Sequence, residues 1–344
     1  MIADRYYYSK LTDREKKIYK ALYTGLTNLE NQIKTVPVSN PDKLMEKVWS
    51  ALISDNPHLY YVDQSQIAYQ YSVTEMVITP AYYFPKTQIQ SYNQQIQDRV
   101  NKIVTAIVNK HGKNELKKET SLYDYFARHF TYNNAALNTT DKYILCRAHS
   151  ILGVFLDGTA VCEGFAKAFK FMMNAMDMKC IVVGGKSDFD DAIGHAWNIV
   201  KINGKSYHVD PTWALCISEK DHTRFDYLNL SDRQISEDHR DFHGLPKCED
   251  EDLDYYKSNG MEIDNSIYLK NYIKKALNAR KSMCEFKLVK GAGKCGFTGN
   301  EDMGQIVNEA CHRAGGEWNG SGGLEFKMQF VEKKKTCIVK FTYR

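Results

Sequence analysis

The sequence predicts an α+β protein whose chemistry sits on a helix that starts at a cysteine and on a β-hairpin that carries a histidine and an aspartate. Three observations predict it. Helical periodicity begins at Cys162 and sets Phe165, Phe169, Met172, Met173 and Met176 on one apolar face. HAWNIVKI and KSYHVDPTW flank Asn203-Gly204, the strongest two-residue signal for a β-hairpin. After residue 252 helical and strand patterns alternate, and the chain closes with LEFKMQFV and TCIVKFTY, each alternating apolar and polar residues. The expected organisation is a mostly helical N-terminal module with short strands over 1–95, the core over 96–251, and a small C-terminal α+β sandwich over 252–344.

Composition narrows the function classes. With 344 residues, 43% hydrophobic and 26% charged, the chain is globular and long enough for two or three domains. A net charge of +4, without a basic stripe interleaved with aromatics, argues against nucleic acid as a partner. No run of 18 apolar residues predicts a membrane span. MIADRYYYSKLTDREKK lacks the apolar h-region of a signal peptide, so the chain as it stands reads as cytoplasmic; a removed leader would instead place it outside the cell or at its surface. Nine cysteines, an odd number without CxxC spacing, fit a reduced compartment better than a disulfide framework.

In order, residues 11–35 read as a helix with Thr12 as N-cap and Glu15 closing a capping box. Ile18, Leu22, Leu26 and Leu29 supply its apolar stripe. DKLMEKVWSAL predicts a second helix ending near Asp55-Asn56-Pro57. HLYYV, IAYQYSV and MVITPAYYF predict short strands, and residues 87–110 a helix stopped by His111-Gly112. A further helix is expected to start at Thr120 and stop at Asn133-Asn134, with 139–156 leading into the loop before Cys162. From Glu219 to Asp254 twelve acidic residues stand against five basic ones, which suggests a long loop region with short helices. The C-terminal pattern is a helix over 266–279, a strand over 283–289, a helix over 302–314 and the closing strand pair, a β-α-β-α-β-β order or a close variant. Glu332 to Lys335 is expected to be a solvated hairpin tip.

The chemistry concentrates in Gly158–Trp213. Cys162 falls in the first turn of a buried helix, where unsatisfied N–H groups and the helix dipole favour a thiolate. A lone cysteine is more often an inert core residue, and Cys180 in CIVVGG is read that way. With Asn203-Gly204 as the whole turn, paired residue numbers sum to 407. Asp210 then lies opposite Trp197, and His195 and Asp210 become diagonal neighbours on one face. That arrangement suits an imidazole oriented by a carboxylate to serve a thiol. His208 shares the face but lies farther along the hairpin and is read as structural.

GTAVCEGFAKAF, GHAWNIVKINGKSYHVDPTW and DYLNLSD together resemble the transglutaminase-like superfamily, nearest its bacterial, cysteine-protease-related branch. The resemblance spans about residues 98–250. It implies a papain-like core, a helix bearing the cysteine packed on an antiparallel sheet bearing the histidine and aspartate, with Cys162 as nucleophile, His195 as base and Asp210 as its orienting partner. Trp197, Asn198 and Trp213 match framing positions, and Phe165 stands where the family usually has tyrosine. The implied chemistry is thiolate attack on an amide carbonyl, an oxyanion held by backbone N–H groups at the helix start, and a thioester resolved by water or by an amine. A second oxyanion donor must come from upstream, where His149 and Ser150 stand. Hydrolysis is the default expectation, and transamidation is the alternative. A non-catalytic peptide-binding scaffold that keeps the fold is a third reading. No cofactor or metal is expected. The expected partners are a peptide or protein substrate and a protein partner reached through the terminal domains.

Two rival motifs are weaker. His239, His243 and Cys248, with His222 and Cys216 upstream, offer zinc-type ligands at a spacing that matches no compact zinc module. GAGKCG at 291–296 lacks the full phosphate-loop pattern and is read as a turn.

Overall fold

The computed structural model describes residues 5–38, 41–188, 194–292, 296–299, 301–318, 320 and 322–344. The chain divides into two compact units, one running to Ile235 and resuming over His239–Asp250, the other comprising Ser236–Asp238 and Glu251–Arg344.

The first unit begins with α1 (Tyr6–Ser9) and α2 (Asp13–Thr27). Thr12 caps α2 and Glu15 completes the capping box as expected, but the helix stops at Thr27. Leu29 then adopts φ 55°, a turn that releases the chain into β1 (Ile33–Thr35). Next come α3 (Pro41–Asp55), β2 (Ala68–Tyr71) and β3 (Met76–Thr79), the strands forming a small sheet in the order β1-β3-β2. HLYYV, expected as a strand, is instead a 3-10 turn opened by Pro57, with Val62 making a single bridge to Tyr82. Its Tyr60 and Tyr61 are buried through packing without a ladder.

The helix α4 (Lys86–His111) ends at Gly112, whose φ of 56° no β-carbon favours. The next helix, α5 (Glu115–His129), starts before Thr120 because Asn114 accepts from the Lys117 N–H and caps it there. It ends before the expected Asn133, and β4 (Thr131–Tyr132) follows. Residues 139–156 are more ordered than a lead-in loop. Asp141 caps α6 (Lys142–Ala148), a π-helical turn follows over Gly153–Asp157, and β5 (Thr159–Ala160) pairs in parallel with β4.

Then come α7 (Cys162–Ala175), β6 (Cys180–Ser187), β7 (His195–Ile202), β8 (Lys205–Val209), α8 (Pro211–Ile217), α9 (Asp232–Ile235) and β9 (His239–Arg240). The main sheet is antiparallel in the order β8-β7-β6-β9. Phe165, Phe169, Met172, Met173 and Met176 of the Cys162 helix region are all buried. Asn198 fastens α7 to the sheet, its Nδ2 donating to the carbonyls of Ala166 (2.9 Å) and Ile181 (3.1 Å). The opposite face buries Ile181, Val183, Trp197 and Ile199 against Cys248, Tyr7 and Phe242.

The second unit contains α10 (Tyr255–Ser258), β10 (Glu262–Ile263), α11 (Ser266–Asn278), β11 (Met283–Leu288), α12 (Met303–Gly316), β12 (Leu324–Val331) and β13 (Thr336–Tyr343). From β10 onward the order is β-α-β-α-β-β, and the sheet runs β10-β11-β13-β12. Leu269, Ile273, Phe286, Val307, Cys311 and Val339 fill its core. One expectation fails here: Lys334 is not at a solvated tip. It is 3% exposed, with Nζ 3.1 Å from Asp238 Oδ2 and 3.4 Å from Glu237 Oε2. A turn made by Lys335 at φ 54° leaves Lys334 facing that acidic pair. Of the 291–296 stretch, Gly293, Lys294 and Cys295 lie outside the described residues.

Candidate active site

The hairpin forms in the expected register. Asn203 (φ 49°) and Gly204 (φ 87°) both take left-handed conformations, as a two-residue turn of this hand requires. Ile202 then faces Lys205, and the pairing continues to Asn198 opposite Val209. The ladder stops one residue short of Asp210. Pro211 has no N–H to extend it, and Asp210 becomes the N-cap of α8 instead, its Oδ1 accepting from the N–H groups of Thr212 (2.8 Å) and Trp213 (3.0 Å). No strand therefore carries Thr212 opposite His195.

This cap leaves Oδ2 of Asp210 free to face the first residue of β7. His195 Nε2 lies 2.6 Å from it, and both side chains are buried. The Cys162 thiol is also close enough to His195 to act on its charge. Burial alone would push the imidazole down, but the Asp210 carboxylate, through its charge and its hydrogen bond, and the neighbouring Cys162 thiol lift it to about 10. The Asp210 carboxyl is held well below the usual carboxylate range: burial opposes its charge, and His195 and His239 outweigh burial. Cys162 is the first residue of α7, partly exposed and packed beside Ala166, Val182 and Ala196. It opens with His195, His149, Glu163 and Gly184 onto a cleft of about 900 Å³.

Two residues of this site were missed from sequence. His239 donates from Nε2 to the same Asp210 oxygen at 3.0 Å and is itself buried. It arrives on β9, paired with Ser187 at the end of β6, and no local signal predicts so short a strand. Tyr132, expected at the tail of a helix, lies instead on β4, with its hydroxyl near the Cys162 backbone N–H. Burial, reinforced by the neighbouring Cys162 and Cys216, pushes its phenol up. The two upstream candidates are otherwise engaged: His149 Nδ1 meets Glu163 Oε2 at 2.9 Å, and the buried Ser150 hydroxyl accepts from the Leu152 N–H at 3.3 Å. Glu163 also pairs with Lys167 at 2.6 Å.

Below His195 lies Trp197, ring planes 19° apart and centroids 5.8 Å apart. The indole N–H donates to His208 Nδ1 at 3.0 Å, and His208 Nε2 meets Asp232 Oδ1 at 2.9 Å. Indole nitrogen only donates, so His208 Nδ1 is unprotonated and Nε2 carries the proton to Asp232.

Two trios bring ligand-type atoms within 4.8 Å among the described residues: His195, Asp210 and His239, and His208, Asp232 and Cys248. In each, the histidine Nε2 atoms sit at hydrogen-bond distance from a carboxylate. The zinc-type residues weighed from sequence are dispersed: His239 serves Asp210, Cys248 lies by Asp232, and His243 lines the cleft. The eight described cysteines are free thiols. Among the described residues no helix is long and apolar enough to cross a membrane.

A thiol at a helix start, an imidazole and a buried carboxylate, joined on a helix-on-sheet scaffold, define a class of thiol–imidazole–carboxylate proteins. Residues 101–211 match the model of the transglutaminase-like superfamily, and the chain carries a transglutaminase-like domain over that segment. Kyphoscoliosis peptidase of Mus musculus is 21% identical over 154 residues, 42% of this chain and 22% of its own length. The Homo sapiens kyphoscoliosis peptidase is 24% identical over 123 residues, 33% of this chain and 18% of its own length. The chain thus spans about a fifth of the length of these curated relatives. Among solved structures, the crystal structure of a TGase is 17% identical, covers 56% of this chain and 53% of its own, and has a TM-score of 0.32. The periplasmic domain of TgpA from Pseudomonas aeruginosa is 13% identical, with 53% and 71% covered and a TM-score of 0.26. Scores this low support nothing by themselves, and the family assignment rests on the segment match.

Proposed function

We propose that the first unit is a thiol-dependent hydrolase of peptide amides, with Cys162 as nucleophile, His195 as acid and base, and Asp210 as the residue that orients and charges the imidazole. One observation carries the reading: the buried His195 ring is bonded to Asp210 at 2.6 Å and lines the same cleft as the Cys162 thiol, which also acts on its charge. That is the geometry a thiol needs to give up its proton to an imidazole.

In the proposed reaction Cys162 Sγ, its proton transferred to His195, attacks the amide carbonyl carbon. The carbonyl electrons move onto oxygen, which takes the Cys162 backbone N–H. The Tyr132 hydroxyl, kept protonated by burial beside Cys162, donates to the same oxyanion. The C–N bond then breaks as His195 protonates the leaving amine, leaving a thioester on Cys162. Water, deprotonated by His195, attacks the thioester, and the acid departs as the thiol recovers its proton. Asp210 stabilises the imidazolium formed in each half-reaction.

Hydrolysis is preferred over transamidation because the cleft at Cys162 is broad and open to water, and the curated relatives carry the name peptidase. The boundary near residue 95 remains part of the proposal, with residues 1–95 framing the cleft through Tyr7, Ser50 and Ile53. A mixed peptide library digested with wild type and with Cys162→Ala, and read by mass spectrometry, tests it. New termini only with wild type support it; none with either variant rejects it. A glutamine peptide supplied with a primary amine separates the chemistries, since amine incorporation would assign transamidation.

A further inference from the structure

One edge of β6 is open where it passes the thiol. The hydrogen-bonded pairs of the β6–β7 ladder fall on odd residues of the incoming strand: the Lys201 N–H donates to the Lys179 carbonyl at 3.0 Å, and the pairing alternates from there through Ile181, Val183 and Gly185. The main-chain groups of Cys180, Val182 and Gly184 therefore point away from β7. Side chains cap two of the outward carbonyls, Lys170 Nζ on Cys180 at 2.7 Å and the Tyr7 hydroxyl on Val182 at 2.5 Å. Pairing with β9 begins only at Lys186. Between these limits the Val182 N–H and the N–H and carbonyl of Gly184 have no strand partner among the described residues.

These residues line the same cleft as Cys162 and His195. Gly184 is exposed, and a β-carbon there would meet nothing within 4 Å, so the sheet face at this point is open. Gly185 must be glycine, because a β-carbon would lie 2.6 Å from both the Arg240 carbonyl and the Trp197 ring. Gly185 in turn lies opposite His195 in the ladder.

We propose that an extended polypeptide docks as an added strand on Val182–Gly184, its main chain bonded to this edge and its scissile amide delivered to Cys162. The inference rests on Cys162 being the nucleophile. Recognition through main-chain groups selects an extended chain with little regard to side-chain identity, and it disfavours small isolated amides. Tyr7 terminates the ladder by occupying the Val182 carbonyl.

Chloromethyl ketones test this with the unaltered protein, since Cys162 Sγ displaces chloride to form a thioether. Acetyl-trialanyl chloromethyl ketone is compared with analogues N-methylated at each backbone amide in turn, and with iodoacetamide, by mass mapping of Cys162. The proposal expects N-methylation at one amide to slow Cys162 modification about tenfold or more, while methylation at the other amides has little effect and iodoacetamide, which has no main chain to dock, gives the reference rate. Equal rates for all the analogues, or a peptidyl reagent no faster than iodoacetamide, would overturn the added strand and leave the nucleophile standing. Failure of iodoacetamide itself to single out Cys162 would instead remove the reading beneath it.

Discussion

His239 donates from Nε2 to Oδ2 of Asp210 at 3.0 Å, and that oxygen also holds His195 at 2.6 Å. Two buried imidazoles thus share one carboxylate oxygen, while the other oxygen caps α8. A donor on Asp210 disperses the charge that keeps His195 protonated.

Replacing His239 by phenylalanine should concentrate that charge on His195. The pH at which His195 loses its proton, followed by imidazole NMR or by the alkylation profile of Cys162, should rise by about half a unit or more. His239→Gln keeps a donor and should restore the profile. If both variants lower the melting temperature and neither moves the profile, His239 only fills space.

The Trp197–His208–Asp232 chain gives a second expectation. Trp197→Phe keeps an aromatic ring beneath His195 but leaves His208 Nδ1 buried without its donor. Urea unfolding should show a loss of about 1–3 kcal/mol. An unchanged midpoint would mean that the indole bond contributes nothing.

Glu119 makes stability depend on pH. Its carboxyl is fully buried, Oε2 accepts from Asn229 Nδ2 at 2.9 Å, and Oε1 has no partner. Burial pushes it up to about 8, with only partial opposition from Asn229. Between the unfolded value near 4.5 and the folded value near 8 the native state holds the extra proton, so stability falls as pH rises through that window. Glu119→Gln should flatten the fall and stabilise the protein at pH 8 to 9, on the order of a few kcal/mol. A variant whose melting temperature keeps the wild-type slope would contradict this.

In the second unit, Lys334→Met would remove the ammonium that lies 3.1 Å from the buried Asp238 carboxylate. Melting of that unit should lose about 3–5 kcal/mol, and a loss below about 1 kcal/mol would show the pair to be dispensable.

How much of this was legible follows from the range of the forces involved. The α7 face, the Thr12 capping box and the Asn203-Gly204 turn are local and repeat at short spacing, so each appeared where its residues predicted. The hairpin register followed from the turn and carried His195 toward Asp210, although Pro211 ended the ladder earlier than strand parity assumed. His239 and Tyr132 were not legible, because each reaches the site by a two-residue strand whose pairing depends on distant chain. Lys334 was misread for a related reason: a run of lysines looks solvated until Glu237 and Asp238, about a hundred residues earlier, are folded against it.

The most direct measurement is the rate at which iodoacetamide alkylates each thiol at neutral pH, mapped by mass spectrometry in wild type and in His195→Ala. Cys162 should react about tenfold or more ahead of the exposed Cys216 in wild type, and should lose that lead when His195 is removed. Equal, slow labelling of Cys162 and Cys216 in both proteins would contradict a nucleophile activated by His195.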